Sequence, residues 1–237
     1  MISFENISFS IAGRTLVKNS TVSIPNGHKV GLVGRNGTGK TSLFRLIYGE
    51  VTLDNGNLKL NQNARVGGVS QEAPGSSVTL INTVLAADQE RTELLQKAEI
   101  EKDPLKISEI QTRLTDIDAW SAEARASTIL NGLGFDKHKQ NLACSEFSGG
   151  WRMRVALAAV LFSKPELLLL DEPSNYLDLE GTIWLQSYIS QYPSTVIIIS
   201  HDRALLNSSV NSILHLEDKE LHLLSLIHIS EPTRQVP

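Results

Sequence analysis

A glycine-rich segment supplies the groups that are needed to bind a chain of phosphates. Residues 34–41 read Gly-Arg-Asn-Gly-Thr-Gly-Lys-Thr, which fits the pattern Gly-x4-Gly-Lys-Thr. Phosphate oxygens need many hydrogen-bond donors and little bulk, and glycines let successive backbone N–H groups face one anion. An apolar segment precedes the loop and a helical segment follows it, so the N-terminus of the helix adds its dipole and free N–H groups. The spacing therefore predicts a site for a nucleoside triphosphate.

Two side chains of this loop have distinct expected roles. Lys40 would contact the β- and γ-phosphates, and the hydroxyl of Thr41 would hold Mg²⁺. A chance glycine-rich turn is the alternative, and the strand–loop–helix context argues against it. The predicted phosphate-binding residues are Gly34, Arg35, Asn36, Gly37, Thr38, Gly39, Lys40, Thr41 and Ser42.

A pair of carboxylates follows an apolar run later in the chain. Leu167–Leu170 precedes Asp171 and Glu172, and ligands bind at the carboxyl ends of strands in a parallel sheet. We expect Asp171 to bind Mg²⁺ through water, and Glu172 to orient and deprotonate an attacking water. An isolated Asp-Glu pair is commonly a solvated loop, but a phosphate loop in the same chain favours the catalytic interpretation.

Two further polar residues follow strand-like segments. His201 follows the run Val196–Ser200, so its imidazole would lie at the same sheet edge, contact the γ-phosphate and steady the water. A lone histidine at such a place is more often structural, and only the neighbouring motifs favour a catalytic role. Gln71 follows the segment Arg65–Ser70 and could contact Mg²⁺ or the water, although one glutamine by itself leaves this open.

Composition bounds the class of protein. The chain has 237 residues, 41% hydrophobic and 20% charged, with a net charge of −4, so it can bury a sizeable core and has no overall basic field for nucleic acid. One cysteine, Cys144, excludes a disulfide framework and fits a reducing compartment. The start of the chain shows no signal peptide, and the apolar runs are too short to span a bilayer. One large domain, or a domain with an insertion, is expected.

Periodicity indicates how the elements are arranged. Apolar residues recur at helical spacing through residues 81–133, and Asp103-Pro104 interrupts them, which predicts an αα-hairpin. Uninterrupted apolar runs, such as Leu167–Leu170, predict buried parallel strands. The remaining expected features are a helix at Thr41–Tyr48 ended by Gly49, a hairpin turn at Asp54-Asn55-Gly56, a helix at Leu179–Ser190, and a closing hairpin of Ile213–Leu216 with Glu220–Leu223.

A Ser-Gly-Gly turn completes a set of motifs with a known order. Ser148-Gly149-Gly150 opens a predicted helix, and by itself Ser148 is best explained as a helix N-cap. However, the order of the phosphate loop, Gln71, Ser148-Gly149-Gly150, Asp171-Glu172 and His201 resembles the ATP-binding cassette family. The resemblance covers residues 1–223. It implies an α/β P-loop NTPase fold with an antiparallel β subdomain, a parallel-sheet core and an inserted helical hairpin.

The residues after the Ser-Gly-Gly turn resemble one branch of that family. Trp151-Arg152-Met153-Arg154 replaces the glutamine of most transporter cassettes and resembles the ABC-F branch. The insertion at about residues 81–133 resembles the ABC-F arm, and Ile117–Ser121 and Leu130–Phe135 resemble the YheS-like subgroup. ABC-F proteins have no transmembrane domain, usually carry two cassettes in one chain, and act on ribosomes. The chain thus resembles a first cassette of this type.

The resemblance implies cofactors, partners and further site residues. ATP and Mg²⁺ would bind between the phosphate loop of one cassette and Ser148, Gly149 and Gly150 of a second, so that these three residues contact the ATP of the partner cassette. One cassette alone would therefore be a weak ATPase. The resemblance also implies binding to the ribosome, including rRNA, a cytoplasmic location and no membrane partner. An ATPase subunit of a membrane transporter is the alternative, and a nucleotide-binding switch that barely hydrolyses is a third.

Three positions depart from the family pattern. Tyr176 stands where the family usually has histidine, which would alter communication between sites without abolishing hydrolysis. Ile11, with Phe9 nearby, stands where many cassettes stack an aromatic ring on adenine, so weak base selectivity is expected. Residues 224–237 resemble a translated sequencing adapter, and we expect them to be a non-native, disordered tail.

Overall fold

The computed structural model describes residues 2–62, 64–69, 73 and 75–225. They form two compact units. Of the described residues, the first unit contains those up to Gly68, Pro165–Asn175 and those from Thr182 to Ser225; the second contains those between Val69 and Lys164 and Tyr176–Gly181. In chain order the strands and helices are β1 (Ile2–Ile11), β2 (Arg14–Ile24), β3 (Lys29–Val33), α1 (Lys40–Ile47), β4 (Asn55–Leu60), β5 (Val66–Gly68), α2 (Leu80–Leu85), α3 (Gln89–Ile100), α4 (Pro104–Asp116), α5 (Ala122–Gly132), α6 (Lys137–Gln140), α7 (Gly149–Ser163), β6 (Leu167–Asp171), α8 (Leu179–Ser190), β7 (Thr195–Ile199), α9 (Arg203–Ser209), β8 (Ser212–Glu217) and β9 (Glu220–Ser225).

The first unit carries the predicted mixed sheet. Among the described residues the strand order is β5-β6-β7-β3-β8-β9, with parallel pairing from β5 to β8 and an antiparallel β9. Leu167–Leu170 and Val196–Ile199 are almost fully buried, as expected for continuous apolar strands of a parallel sheet. The carboxyl ends of β3, β6 and β7 therefore meet at one edge of the sheet, which confirms the expected fold class.

An antiparallel sheet of order β2-β1-β4 completes this unit. β1 and β2 are joined by Ala12 and Gly13, whose φ angles of 49° and 78° suit a tight hairpin turn. Alternate residues of β1, among them Phe4 and Phe9, are buried, because one face of the sheet packs on the core. The same core includes Leu43 of α1 and Leu214 of β8, and it fixes the strand and helix that flank the phosphate loop.

The expected hairpin turn at Asp54-Asn55-Gly56 is wrong. Asn55 and Gly56 are instead the first residues of β4, which pairs with the distant strand β1. Gly56 has a φ of +87°, and a Cβ at this position would lie 2.3 Å from the carbonyl oxygen of Asn6. The glycine therefore allows the backbones of β1 and β4 to lie close together where their pairing is irregular. Local sequence does not distinguish this role from a turn.

The second unit is helical. α3 and α4 pack against each other, and the Asp103 side chain caps α4 directly before Pro104, so the predicted αα-hairpin is present. An ion pair of 2.6 Å joins Arg113 of α4 to Glu90 of α3. Within the described part of the chain, no helix is both long and apolar enough to cross a bilayer.

The described chain ends in the predicted closing hairpin. β8 and β9 pair so that Ile213 faces Leu224 and Ser212 faces Ser225. Leu224 and Ser225, the first two residues of the expected non-native tail, thus belong to β9. Residues 226–237 lie outside the described residues, and a non-native origin of the tail stays a prediction.

A pair of glycine substitutions tests the strand pairing of β4. Gly49 and Gly56 both have positive φ, but a Cβ at Gly49 would meet nothing within 4 Å. Gly49→Ala should lower the free energy of unfolding by about 1–2 kcal/mol, the cost of a left-handed L-residue. Gly56→Ala should cost a further ~1–3 kcal/mol, because the backbone of β1 must move. Thermal or denaturant unfolding measures both, and equal losses would contradict the close approach.

Candidate active site

The phosphate loop connects β3 to α1 in the first unit. Gly37 and Gly39 have φ angles of +76° and +107°, which glycine adopts without strain. The N–H of Leu43 donates to the carbonyl oxygen of Gly39 at 2.9 Å, so the helix begins directly after the loop. The free N–H groups of the first helical turn then face the loop, which is the arrangement that binds anions.

Side chains of the loop hold its shape. The Lys40 ammonium donates to the carbonyl oxygens of Gly34 and Arg35 at 2.9 and 3.2 Å. The Thr38 hydroxyl also donates to the Arg35 carbonyl, at 2.9 Å. A Cβ at Gly34 would lie 2.6 Å from the Leu216 carbonyl oxygen, so only glycine fits where β8 approaches the loop. The two hydrogen bonds of Lys40 place its positive charge over the loop.

Thr41 and Asp171 meet across the sheet edge. The Thr41 hydroxyl donates to Asp171 Oδ2 at 2.7 Å. Asp171 is the last residue of β6, and Thr41 is the second residue of α1. Parallel strands bring these positions together because β3 and β6 both pair with β7. A hydroxyl and a carboxylate at hydrogen-bond distance form a set of hard oxygen donors.

Glu172 adopts a constrained backbone conformation. Its φ is +47°, which is uncommon for a residue with a side chain. Two hydrogen bonds hold it: the Glu172 N–H donates to the Ile199 carbonyl at 2.8 Å, and the Asn175 N–H donates to the Glu172 carbonyl at 3.1 Å. The strained conformation is thus imposed by β7 and by the following turn.

The Glu172 carboxylate faces His201 and keeps one oxygen free. Oε2 accepts a hydrogen bond of 3.2 Å from the His201 backbone N–H. Oε1 is buried and makes no hydrogen bond within the described residues, although His201 Nε2 lies 3.3 Å away without hydrogen-bond alignment. A buried carboxylate oxygen without a hydrogen bond costs free energy, so Oε1 is available to accept one from a ligand or a water.

Most of the predicted site residues line one cavity of about 500 Å³. Gly34 is not among its lining residues, and Arg35 and Thr38 line a second cavity instead. Ile11, Arg14 and Leu16 also line the first cavity, and the sequence analysis did not identify Arg14 or Leu16. Their only sequence signal is the tight turn at Ala12-Gly13, which does not show where the hairpin lies in the fold. Phe9 is fully buried, so it cannot contact a base there. The lining residues are Ile11, Arg14, Leu16, Asn36, Gly37, Gly39, Lys40, Thr41, Ser42, Asp171, Glu172, Ile199 and His201.

The donor set fits Mg²⁺. Among the described residues no group of three or more His, Cys, Asp or Glu side chains could hold a metal ion. Mg²⁺ needs no such cage, because it is held by one or two protein oxygens together with water and phosphate oxygens. The Thr41 hydroxyl and the Asp171 carboxylate are such a pair.

Tyr48 lies near this edge in its neutral form. Burial is the largest cause that raises the pKa of its hydroxyl to about 12, and the negative charges of Glu50 and Asp171 contribute less. A Cβ at Gly68 would collide with that hydroxyl, so the glycine of β5 makes room for the ring. The phenol therefore adds no negative charge beside Asp171 at neutral pH.

The Ser-Gly-Gly residues belong to the second unit. Ser148 has the extended conformation of an N-cap before α7, but its side chain makes no capping hydrogen bond. A Cβ at Gly150 would meet nothing within 4 Å, so the start of this helix is open. The N-cap explanation accounts for the backbone of Ser148 and leaves its hydroxyl unexplained. Gln71 lies outside the described residues.

Comparison with known proteins agrees with this geometry. Residues 17–175 match the family described as ABC transporter. The chain is 41% identical over 225 residues to a probable ATP-binding protein, YheS, of Haemophilus influenzae, covering 94% of this chain and 35% of that protein. It is 39% identical to ATP-binding cassette sub-family F member 3 of Homo sapiens, covering 93% and 32%. The chain thus spans about a third of the length of the curated relatives that it matches.

Solved structures share the fold at low sequence identity. An ATP-binding subunit of an ABC transporter superimposes with a TM-score of 0.70 at 15% identity, covering 97% of this chain and 91% of that one. A dimeric ATP-binding cassette in a post-hydrolysis state, bound to ADP and phosphate, has a TM-score of 0.64 at 19% identity, covering 95% and 99%. The family match and the mixed sheet with its phosphate loop agree with the relatives, which include members of sub-family F at about 40% identity: the chain belongs to the ABC transporter family.

Proposed function

We propose that this chain is an ATP-hydrolysing cassette of an ABC-F translation factor. One observation supports hydrolysis above all: most of the phosphate loop, the Thr41–Asp171 pair and Glu172, whose Oε1 accepts no hydrogen bond within the described residues, line a single cavity. The loop suits a triphosphate, the oxygen pair suits Mg²⁺, and a carboxylate with a free lone pair suits a general base.

The proposed roles follow from the charges at the site. The N–H groups of the loop and the Lys40 ammonium would hold the β- and γ-phosphates. Thr41 and Asp171 would hold Mg²⁺, which when bound neutralises charge on the phosphate oxygens. Arg14 and Ile11 are placed to contact the nucleoside, because they line the part of the cavity formed by the β1–β2 hairpin.

Glu172 would activate the attacking water. Its Oε1 would take a proton from water while the water oxygen bonds to the γ-phosphorus and the bond to the β-phosphate oxygen breaks, giving ADP and phosphate. His201 would steady the water, since its Nε2 lies 3.3 Å from Oε1. The strained Glu172 backbone would keep the carboxylate in place before the nucleotide arrives. We also expect Gln71 to contact Mg²⁺ or the water.

A second cassette would complete the site. Ser148, Gly149 and Gly150 form the open start of α7, and such a helix start suits the γ-phosphate held by another cassette. A dimeric cassette with ADP and phosphate is among the structures of the same fold. ATP would join the two cassettes and hydrolysis would release them.

The proposed place of action is the ribosome in the cytoplasm, including its rRNA. Support comes from relatives at about 40% identity, which include sub-family F members, and from the α3–α4 hairpin, whose sequence resembles the ABC-F arm. An ATPase subunit of a membrane transporter remains the competing function, and ribosome binding separates the two.

Replacing Glu172 by glutamine separates binding from hydrolysis. Glu172→Gln keeps the shape but cannot accept the proton, so ATP turnover in the full-length protein should fall roughly a hundredfold or more, while ATP binding persists. The trapped protein should co-sediment with ribosomes when ATP is present. The double variant with Lys40→Met should lose this ATP-dependent binding. If the single variant retains ATP but never co-sediments, the translation function is wrong.

The activity of the 237-residue chain should depend on its concentration. A single cassette supplies half of each composite site, so phosphate release per molecule should be low when dilute and rise as two chains associate. Phosphate release over a dilution series, alongside sedimentation to report the oligomeric state, measures this. Rapid turnover by the monomer would contradict the two-cassette site.

Base selectivity should be weak. Among the described residues no aromatic side chain lines the cavity. The base therefore has no ring on which to stack, and the site should discriminate poorly between adenine and guanine. ATP and GTP should therefore be hydrolysed at similar rates. Ile11→Tyr should tighten binding by about 1–3 kcal/mol, the usual value of base stacking. Steady-state kinetics with both nucleotides measures the ratio, and strict preference for ATP in the unchanged protein would count against this prediction.

A further inference from the structure

One arginine in the second unit joins three separate segments of the chain. The side chain of Arg154, in α7, is 11% exposed. Its Nη1 lies 3.1 Å from Asp178 Oδ2 and donates to the Leu133 carbonyl at 3.3 Å. Its Nε donates to the Tyr176 carbonyl. The guanidinium, from its place on α7, thus contacts the end of α5 and two residues of the loop 176–178.

An aromatic cluster supports this guanidinium. The Trp151 ring, one helical turn before Arg154, lies with its centroid 4.4 Å from Arg154 Cζ. Phe135 packs edge-on to the Trp151 ring at 5.1 Å. Gly134 has a φ of +93°, and a Cβ there would lie 3.0 Å from Arg154 Nη1. The glycine and the tryptophan form a tight seat for a planar cation, which a lysine ammonium would not fill.

Asp178 uses its two oxygens for different purposes. Oδ1 accepts a hydrogen bond of 2.9 Å from the Gly181 N–H in the first turn of α8, and Oδ2 faces Arg154. The hydrogen bond from the Gly181 N–H is the largest cause that lowers the pKa of this carboxyl below its usual value, and the hydrogen bond from Arg154 is the second. Asp178 therefore remains ionised at neutral pH, and it connects the loop 176–178 both to α8 and to α7.

We propose that Arg154 is a positioning residue that sets the loop 176–178 relative to helix α7. Three residues separate Glu172 from Tyr176 in the chain, and the Asn175 N–H already donates to the Glu172 carbonyl. A movement at the start of α7, where Ser148–Gly150 lie, would be transmitted through Arg154 to this loop and so to the conformation of Glu172. The inference rests on the proposed ATP hydrolysis, and it assigns the control of that step to a residue that touches no nucleotide.

Conservative and isosteric changes in the full-length protein test this role. In Arg154→Lys and Arg154→Met, kcat for MgATP should fall about tenfold to a hundredfold, because small displacements of catalytic groups have effects of this size. KM for MgATP should stay within about threefold, because ground-state nucleotide binding does not involve this residue. A structural role alone predicts a lower melting temperature without this split between kcat and KM.

A variant of the partner carboxylate, Asp178, keeps the test valid if the Arg154 variants fail to fold. Asp178→Asn should lower kcat in the same direction, and its side chain is 56% exposed, so the fold tolerates the change. The double variant with Arg154→Met should be no slower than Arg154→Met alone, because Arg154→Met already removes the ion pair that Asp178→Asn weakens, and asparagine can still accept from the Gly181 N–H. Arg113→Lys, in the exposed pair with Glu90, is the matched control and should leave kcat unchanged.

The outcomes separate this inference from the proposed function. If the unchanged protein hydrolyses ATP and the Arg154 variants match its kcat, or if the losses at Arg154 and Asp178 add, the positioning role is wrong. If the unchanged protein shows no hydrolysis, the proposed function fails instead. Amide hydrogen exchange in the residues 176–181 then decides for Arg154: exchange that is as slow in Arg154→Lys as in the unchanged chain overturns the proposal.

Discussion

The hydrogen bond of 2.7 Å between Thr41 and Asp171 joins residues that lie 130 positions apart in the chain. It exists only because β3 and β6 flank the same strand, β7, in parallel. If either strand slipped in register, the hydroxyl and the carboxylate would separate and the oxygen pair that suits Mg²⁺ would be lost. The buried apolar strands of this sheet therefore do more than stabilise the fold, since their order places the phosphate loop opposite the carboxylates.

The same sheet maintains unfavourable features at its edge. Glu172 has a left-handed backbone and a buried oxygen without a hydrogen bond in the described structure, and each feature costs free energy. The bond from the Glu172 N–H to Ile199 keeps the conformation in place. Such strain is tolerated where the surrounding core is well packed, and it would hold the carboxylate in place for its proposed role as the base.

In the second, helical unit, one side chain of α7 holds the loop that precedes α8. Arg154, supported by Trp151, contacts backbone carbonyls and the Asp178 carboxylate. The run Trp151-Arg152-Met153-Arg154, which resembles the ABC-F branch, thus has a structural use in this chain. Its first residue forms the aromatic seat and its last residue makes the connection to the loop after Glu172.

Local sequence determined the parts that depend on neighbours in the chain: the phosphate loop and its helix, the apolar strands, the break at Asp103-Pro104, and the acidic pair after a strand. The resemblance to known cassettes supplied the roles of Ser148–Gly150. Tertiary structure alone decided the contacts between distant segments. It showed Gly56 in a strand rather than a turn, it buried Phe9, and it brought Arg14 to the cavity and Arg154 to Asp178. The physical reason is that composition and periodicity report which face of an element is buried, whereas the partner that buries it depends on strand order and on packing across the fold.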